Sequence, residues 1–263
     1  MTTRHFAVNL QGRFEAPATA GFNLADISSV SALDRLPAGM KGVYWLGNGY
    51  NTYCNWQKDA NSVRKIVTAV KHHPKFSGIY YISDEPHPSV CPDAAEQIKM
   101  RTALIHELDP AGKTFMIVLN SSRAPNEFRE LGSAADYIGV DPYPCNQRNR
   151  DTGCDTAALE ARIEAAVAAG ISANRIVPVF QTFGQECATT SKPYYRLPTV
   201  SETKSMLAIW DRLVPQSERT FDMAYSWGVQ ERVACPALSS PEAADLRDVY
   251  RAYFESAPLR ADR

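Results

Sequence analysis

Eight short apolar segments recur along the chain, and their spacing limits the folds it can adopt. Most are nearly continuously hydrophobic rather than alternating, which is typical of parallel strands covered on both faces. Longer segments with helical spacing separate several of them and predict helices over residues 60–72, 93–108, 155–169, 201–213 and 241–254. The predicted strands cover residues 6–10, 22–26, 42–46, 78–82, 114–119, 137–141, 176–180 and 221–225.

Local signals support the helix boundaries. Asp109-Pro110 ends the second predicted helix, and Gly170 follows the third as a C-cap. The alternation of strands and helices predicts an α/β fold, a single (β/α)8 TIM barrel that residues 1–263 form as one domain. The first unit is the exception, because about eleven residues separate its strand from the next, too few for a full helix.

Composition excludes several classes of function. The chain is 44% hydrophobic and 22% charged, with a net charge of −1, and it has no run of lysine or arginine for a nucleic-acid surface. Its longest apolar runs are strand-sized, so no membrane span is predicted. No Cys-x-x-Cys, paired histidine spacing or convincing glycine-rich phosphate loop is present, so we expect no metal and no organic cofactor. We also expect a monomer.

The six cysteines, at positions 54, 91, 145, 154, 187 and 235, all follow predicted strand ends. Their even number favours three disulfides over free buried thiols, and hence a secreted or extracytoplasmic protein, although Met-Thr-Thr-Arg-His does not read as a signal peptide. Sequence cannot choose among the fifteen possible connectivities. Bonds within the same loop or between adjacent loops would give Cys54–Cys91, Cys145–Cys154 and Cys187–Cys235.

Carboxylates mark the ends of two predicted strands. Asp84 and Glu85 follow the fourth strand, and Pro86 then removes a backbone donor and stops the ladder. Asp141 ends the sixth strand within the rigid turn Val-Asp-Pro-Tyr-Pro-Cys. Carboxylates at the carboxyl ends of barrel strands suit acid–base chemistry, although Asp can also cap the following helix.

Amide and aromatic side chains crowd the same predicted face. Flat rings with polar edges suit sugar rings, although about half of such residues serve only packing. Polar strand ends also occur at Asp26, Gln230 and Glu231, and further aromatic residues at Tyr50, Tyr53, Trp56, Phe183, Tyr194 and Tyr195. We predict that the substrate-binding residues are Trp45, Asn120, Tyr143, Gln181 and Trp227.

Several of these segments carry a family resemblance. Residues 73–86, His-Pro-Lys-Phe-Ser-Gly-Ile-Tyr-Tyr-Ile-Ser-Asp-Glu-Pro, are similar to strand four of the large clan of (β/α)8 glycoside hydrolases whose acid/base glutamate follows that strand. Residues 136–144, 178–184 and 225–228 resemble its strands six, seven and eight. The resemblance implies that Glu85 is the proton donor. The chain departs from the clan where Gln181 or Thr182 replaces the nucleophilic glutamate and Asp84 replaces an asparagine.

Three readings remain open. Glu85 could act with Asp141 as the second carboxylate, with a separation of about 5–5.5 Å for retention or about 6.5–9.5 Å for inversion of the anomeric centre. Asp84-Glu85 also resembles the adjacent pair of β-N-acetylhexosaminidases, in which the substrate's acetamido group is the nucleophile and a tyrosine, here Tyr143 or Tyr225, assists. Alternatively, the barrel could bind sugar without cleaving it.

The sequence therefore predicts a glycoside hydrolase that cleaves an extracellular oligo- or polysaccharide. Glu85 would be the general acid, with Asp84 or Asp141 as its partner. The alternative is a catalytically inactive carbohydrate-binding TIM barrel.

Overall fold

The protein is described by a computed structural model covering residues 4–118, 124–190 and 192–256. Eight parallel strands pair in chain order, and β1 pairs with β8 to close a barrel, which confirms the predicted (β/α)8 fold. All eight predicted strands are present, with boundaries shifted by a few residues. They are β1 (Arg4–Ala7), β2 (Leu24–Ile27), β3 (Lys41–Trp45), β4 (Phe76–Asp84), β5 (Lys113–Val118), β6 (Tyr137–Val140), β7 (Ile176–Gln181) and β8 (Phe221–Tyr225).

Eight α-helices surround the barrel in the described part of the chain. The five predicted helices are confirmed, and the first unit holds only a five-residue helix, as its length requires. Three short helices, α1, α2 and α5, were not predicted. The helices are α1 (Glu15–Thr19), α2 (Val30–Asp34), α3 (Ala60–Val70), α4 (Ala94–Leu108), α5 (Ala124–Leu131), α6 (Thr156–Ala168), α7 (Val200–Leu213) and α8 (Ala244–Glu255).

Side-chain caps fix where several helices begin. Asp59 accepts from the Ser62 N–H at the start of α3, and Asp155 accepts from the Ala158 N–H at the start of α6. Thr199 and Glu202 form a reciprocal capping box at the start of α7. Each cap satisfies a backbone donor that has no partner within its helix. The caps therefore fix the residue at which each helix begins and the loop from the barrel mouth ends.

The core has two layers, because successive strand residues point to opposite sides of the barrel wall. An outer layer lies between strands and helices and includes Ile138 and Val140 of β6 with Leu159 and Ile163 of α6. The inner layer fills the barrel, so the barrel is a packed core rather than a channel. It consists of Phe6, Val8, Leu24, Val43, Ile79, Tyr81, Phe115, Ile117, Val177, Val179, Phe221 and Met223.

Three disulfides hold the loops at the carboxyl ends of the strands. Cys54–Cys91 joins the loops after β3 and β4, Cys145–Cys154 closes the loop after β6, and Cys187–Cys235 joins the loops after β7 and β8. All three bonds are the predicted ones. They fix this rim where parallel barrels place their functional loops. Among the described residues, no helix is both long and apolar enough to span a membrane.

Candidate active site

A β-bulge near the end of β4 sets the direction of the Asp84 side chain. Tyr81 pairs with Phe115 of β5, whereas Ser83 pairs with Met116, so two steps along β4 match one step along β5. The extra residue shifts the alternation, and Asp84 aligns with Ile117, a member of the inner core. Tyr81 and Asp84, three residues apart, consequently lie on the same face of the strand.

Asp84 is held from two sides. The Tyr81 hydroxyl donates to its Oδ1 at 2.8 Å, and its backbone N–H donates to the Asn48 Oδ1 at 3.0 Å. Asn48 belongs to the loop after β3, so neighbouring strand ends cooperate in placing this carboxyl. Burial and the adjacent Glu85 carboxylate raise the pKa of Asp84 to about 6, although the Tyr81 hydroxyl opposes the increase.

Glu85 follows with a backbone φ of +52°, in the left-handed region that non-glycine residues seldom occupy. Its N–H donates to the Ile117 carbonyl at 3.0 Å, the last bond between β4 and the end of β5. Such a conformation costs on the order of 1–3 kcal/mol and is concentrated at functional sites. The turn directs a half-buried glutamate into the cleft rather than outward to bulk water.

Asp141 comes from the opposite side of the mouth, one residue past β6, and is only 2% exposed. Its carboxyl is in hydrogen-bonding contact with that of Glu85, which requires a proton on one of the two. Its Oδ1 is buried and has no hydrogen-bond partner among the described residues. Burial and the Glu85 charge raise the pKa of Asp141 well above its usual value, while the Arg162 guanidinium partly opposes this.

The three carboxylates line one cleft with two lobes, which share Asp84 and Tyr225. A groove of about 750 Å³ between α7 and α8 is larger, but it lies on the outer wall, away from the strand ends where barrel sites form. The smaller lobe, about 210 Å³, is lined by Asp84, Glu85, Asp141, Tyr143, Phe183, Gln185, Tyr195, Tyr225 and Val233. The larger lobe, about 330 Å³, is lined by Val8, Asn9, Asp26, Trp45, Tyr81, Asp84, Met223, Tyr225 and Gln230.

Aromatic rings form much of the wall of the smaller lobe. Tyr143 lies 5.1 Å from Phe183, 5.7 Å from Tyr195 and 6.0 Å from Tyr225, measured between ring centroids. Burial raises the pKa of Tyr143 well above its usual value and that of Tyr195 to about 12. Both hydroxyls are therefore neutral at pH 7 and able to donate hydrogen bonds to a ligand.

A polar network lines the larger lobe. The Asp26 carboxylate accepts from the backbone N–H groups of Asn9 and Leu10, at 2.9 and 3.2 Å. The Asn9 Oδ1 accepts from the Gln230 amide at 2.6 Å, and the Gln230 Oε1 accepts from the Tyr225 hydroxyl at 3.0 Å. Burial raises the pKa of Asp26 although both N–H groups lower it. The network connects strands β1, β2 and β8 across the mouth.

The structure brings together five of the eight predicted site residues. Asp84, Glu85, Asp141, Trp45 and Tyr143 all line the cleft. Asn120 lies outside the described residues, so the structure does not place it.

Gln181 and Trp227 do not line either lobe. The buried Gln181 amide bonds the N–H and carbonyl of Cys145 and the carbonyl of Arg196, at 2.8–3.1 Å, which leaves it occupied with loop backbone. Trp227 is 5% exposed and packs in the outer layer, with its ring 5.7 Å from that of Phe22. The Gln181 amide thus joins the loops after β6 and β7, and Trp227 contributes to the outer core layer.

Sequence reasoning missed Tyr81, Asn9 and Gln185 as cleft residues, and missed Arg162 behind Asp141. Tyr81 lies within an apolar run whose bulge has no sequence signal. Arg162 lies in an alanine-rich helix, where it is buried 4.7 Å from the Phe128 ring and donates to the Val118 carbonyl. An arginine on the apolar face of an amphipathic helix was the available clue to a buried charge partner.

Comparisons with known proteins support the fold. No protein-family model matches the chain, and no curated protein sequence matches it. Among solved structures, it is similar to a β-D-glucuronidase from Dictyoglomus thermophilum, with 13% identity, a TM-score of 0.63, and coverage of 100% of this chain and 52% of that one. It is also similar to a β-galactosidase from the psychrophilic Marinomonas ef1, with 10% identity, a TM-score of 0.65, and coverage of 97% and 59%.

A Bacteroides uniformis β-glucuronidase is a third neighbour, with 12% identity, a TM-score of 0.64, and coverage of 97% of this chain and 35% of that one. The chain thus spans between about a third and three fifths of the length of these neighbours. At such low identity the likeness establishes the barrel fold alone.

Proposed function

We propose that the protein is a glycoside hydrolase acting on an extracellular oligo- or polysaccharide, with Glu85 as the general acid. The observation that carries this proposal is the convergence of Asp84, Glu85 and Asp141 on one tyrosine-walled cleft at the carboxyl ends of the strands. Paired carboxylates beside flat rings are what glycosidic bond cleavage requires. The fold neighbours, which are a galactosidase and glucuronidases by name, agree with this class of reaction.

Asp84 is the better partner for Glu85. The Glu85 side chain interacts with Asp141 and raises the pKa of its carboxyl, which favours a proton shared by the two groups over separate roles as acid and nucleophile. In that position Asp141 suits a different role, holding a proton between itself and Glu85 for delivery to the leaving group. Asp84 faces both lobes and bonds to Tyr81, so a sugar can lie against it without displacing Glu85.

The reaction would then proceed as follows. Glu85 transfers its proton to the glycosidic oxygen as the bond from that oxygen to the anomeric carbon breaks. Asp84 either orients a 2-acetamido group of the substrate, whose oxygen attacks the anomeric carbon, or accepts a proton from an attacking water. Tyr143 or Tyr225 would donate a hydrogen bond to the acetamido oxygen in the first route. Water completes the hydrolysis in either route.

The Glu85→Gln variant tests the proposal. Its turnover of aryl glycosides and polysaccharides should fall by roughly 10²–10⁴-fold, while sugar binding persists, because the amide keeps the shape but cannot donate the proton. Glu231→Gln, an exposed glutamate in the loop after β8, is the matched control and should retain activity. Comparing 2-acetamido with 2-hydroxy aryl glycosides separates the two routes for Asp84.

The alternative function is a carbohydrate-binding barrel without turnover. It is favoured by the end of β7, where the Gln181 amide is occupied with backbone groups and no carboxylate is present. Wild-type protein that binds oligosaccharides but hydrolyses none of a broad panel, with Glu85→Gln binding equally well, would support this alternative over catalysis.

We further propose that the protein works outside the cytoplasm as a monomer. Three disulfides in one chain of this size form and persist in oxidising compartments. Cell fractionation of the natural host, together with light scattering of the purified protein, tests both statements.

A further inference from the structure

The charged groups of the cleft indicate a preference among sugars that is opposite in sign to the sugar acid in the names of two structural neighbours. Four carboxylates line the two lobes: Asp26, Asp84, Glu85 and Asp141. Among residues 4–118, 124–190 and 192–256, no lysine, arginine or histidine lines either lobe. Arg162 attracts Asp141 from behind without reaching the cleft lining. A ligand in these lobes therefore meets carboxyl groups on several sides and, among the described residues, no cationic side chain.

A second observation concerns the buried carboxyl of Asp141 at the wall of the smaller lobe. The Asp141 side chain is 2% exposed and lines the smaller lobe, yet its Oδ1 has no hydrogen-bond partner among the described residues. A buried carboxyl oxygen without a donor is costly, and a cationic group bound in the lobe would favour the charged form of this carboxyl, whereas an anionic group would oppose it. A ligand carboxylate has no proton to offer at neutral pH and would add a like charge.

We infer that the cleft selects sugars by charge, preferring those with a protonated amino group to neutral ones and excluding uronic acids. This inference rests on the proposed function, because it concerns which sugar binds at the carboxylates of the proposed active site. Two of the structural neighbours carry the name β-glucuronidase, and glucuronic acid is an anion. A site for such an anion is expected to hold a cation, and no lysine, arginine or histidine lines this cleft among the described residues.

Binding to the Glu85→Gln variant tests the inference without depending on turnover. Three oligosaccharides of equal length are compared by calorimetry at pH 6.5: a β-1,4-glucosamine oligomer, its N-acetylated counterpart, and an oligogalacturonate. We expect the amine oligomer to bind about tenfold more tightly than the N-acetylated one, and the uronate at least about tenfold more weakly. The differences should shrink as the ionic strength rises from about 0.05 to 0.5 M.

Two variants locate the effect. Asp26→Asn removes one carboxyl group from the larger lobe and should reduce the preference for the amine oligomer severalfold, measured as the ratio of its affinity to that of the N-acetylated oligomer. Asp245→Asn, an exposed aspartate on α8, is the matched control and should change neither. Thermal unfolding of each variant checks that the fold is kept, because Asp26 also accepts two backbone N–H groups.

Uronate binding as tight as that of the N-acetylated oligomer would overturn the inference, and so would an amine oligomer that binds no better than the neutral one. If the charge order holds but no glycoside is hydrolysed by the wild type, the inference stands and the proposed hydrolase activity fails. If hydrolysis is found with a uronide as the preferred substrate, the activity stands and the inference fails.

Discussion

Two aspartates flank β6, five residues apart in the chain, and they occupy opposite environments. Asp136 precedes the strand at the amino-terminal end of the barrel, and Asp141 follows it at the mouth. The Asp136 carboxylate accepts from the Thr114 N–H and hydroxyl, at 2.8 and 2.9 Å, and bonds to His106 at 2.8 Å. Asp141 instead faces another carboxyl and has a buried oxygen with no partner among the described residues.

The titration of the two groups reflects this difference. Burial acts to raise the pKa of Asp136, but the bonds from Thr114 and His106 outweigh it, and the pKa lies below its usual value. Burial and the Glu85 charge raise the pKa of Asp141 instead. On the proposed function, one end of the strand serves stability and the other serves chemistry at some cost in stability. This agrees with the general division of labour between the two faces of such barrels.

The largest expected effect comes from exchanging each aspartate for asparagine. Asp141→Asn should lower turnover by about a hundredfold, at the low end for a group that positions a proton, while stability is unchanged or higher because an amide stays neutral in this buried position at every pH. Asp136→Asn should keep turnover but lose about 1–3 kcal/mol of unfolding free energy, since its charged hydrogen bonds are weakened. Steady-state rates and denaturant unfolding of both variants provide the measurements.

The comparison fails if the effects are exchanged. A destabilised Asp141→Asn with normal turnover would make the mouth aspartate a structural residue. An inactive but fully stable Asp136→Asn would show that the amino-terminal end of β6 contributes to the chemistry.

A smaller effect is expected in the pH dependence of stability. Because the pKa of Asp84 is about 6 in the folded protein and 3.8 is its ordinary value, the folded state binds more protons between these pH values. Stability contributed by Asp84 is therefore lost as the pH rises from about 4 to 6. Asp84→Asn should remove this loss and gain less than about 3 kcal/mol over wild type at pH 7, because the side chain is partly exposed.

Asp136→Asn should show the opposite sign. A carboxyl whose pKa is depressed stabilises the folded state above its unfolded pKa, and this contribution disappears as the pH falls through the folded pKa. The variant and wild type should therefore differ most at neutral pH and converge on acidification. Urea unfolding at pH 4, 5.5 and 7 measures both trends, and parallel curves for Asp84→Asn and wild type would contradict the assignment.

The barrel itself could be predicted from the sequence because each strand is a short apolar run. Most of these runs are followed by a segment with helical spacing. The helices that were missed are short: α1 and α2 have five residues each, and α5 has eight and includes Pro125 near its start. Such short helices form because they pack against the outside of the barrel. Tertiary packing rather than local propensity therefore determines where they occur.

The site could be predicted in part. Asp84, Glu85 and Asp141 were found because strand ends in a parallel barrel converge on one mouth. The bulge that turns Asp84 inward could not be found, since a one-residue shift depends on how β4 pairs with β5. Gln181 and Trp227 have the residue types expected for sugar contacts. Gln181 ends β7, but loop carbonyls of Cys145 and Arg196 hold its amide, and Trp227, two residues past β8, packs against Phe22.

The smallest effect is expected from replacing Tyr80 or Tyr81, two adjacent tyrosines whose side chains lie on opposite faces of β4. The Tyr81 hydroxyl donates to Asp84 inside the cleft, and the Tyr80 hydroxyl donates to Asp109 outside the barrel, each at 2.8 Å. Either change to phenylalanine removes one hydrogen bond to a carboxylate and should cost about 1–3 kcal/mol of stability. Only Tyr81→Phe should also move the acidic limb of the pH–activity profile upward, because the Tyr81 hydroxyl lowers the pKa of Asp84. If both variants leave the profile in place, Asp84 does not titrate in the reaction, and the partner of Glu85 must be sought elsewhere in the cleft.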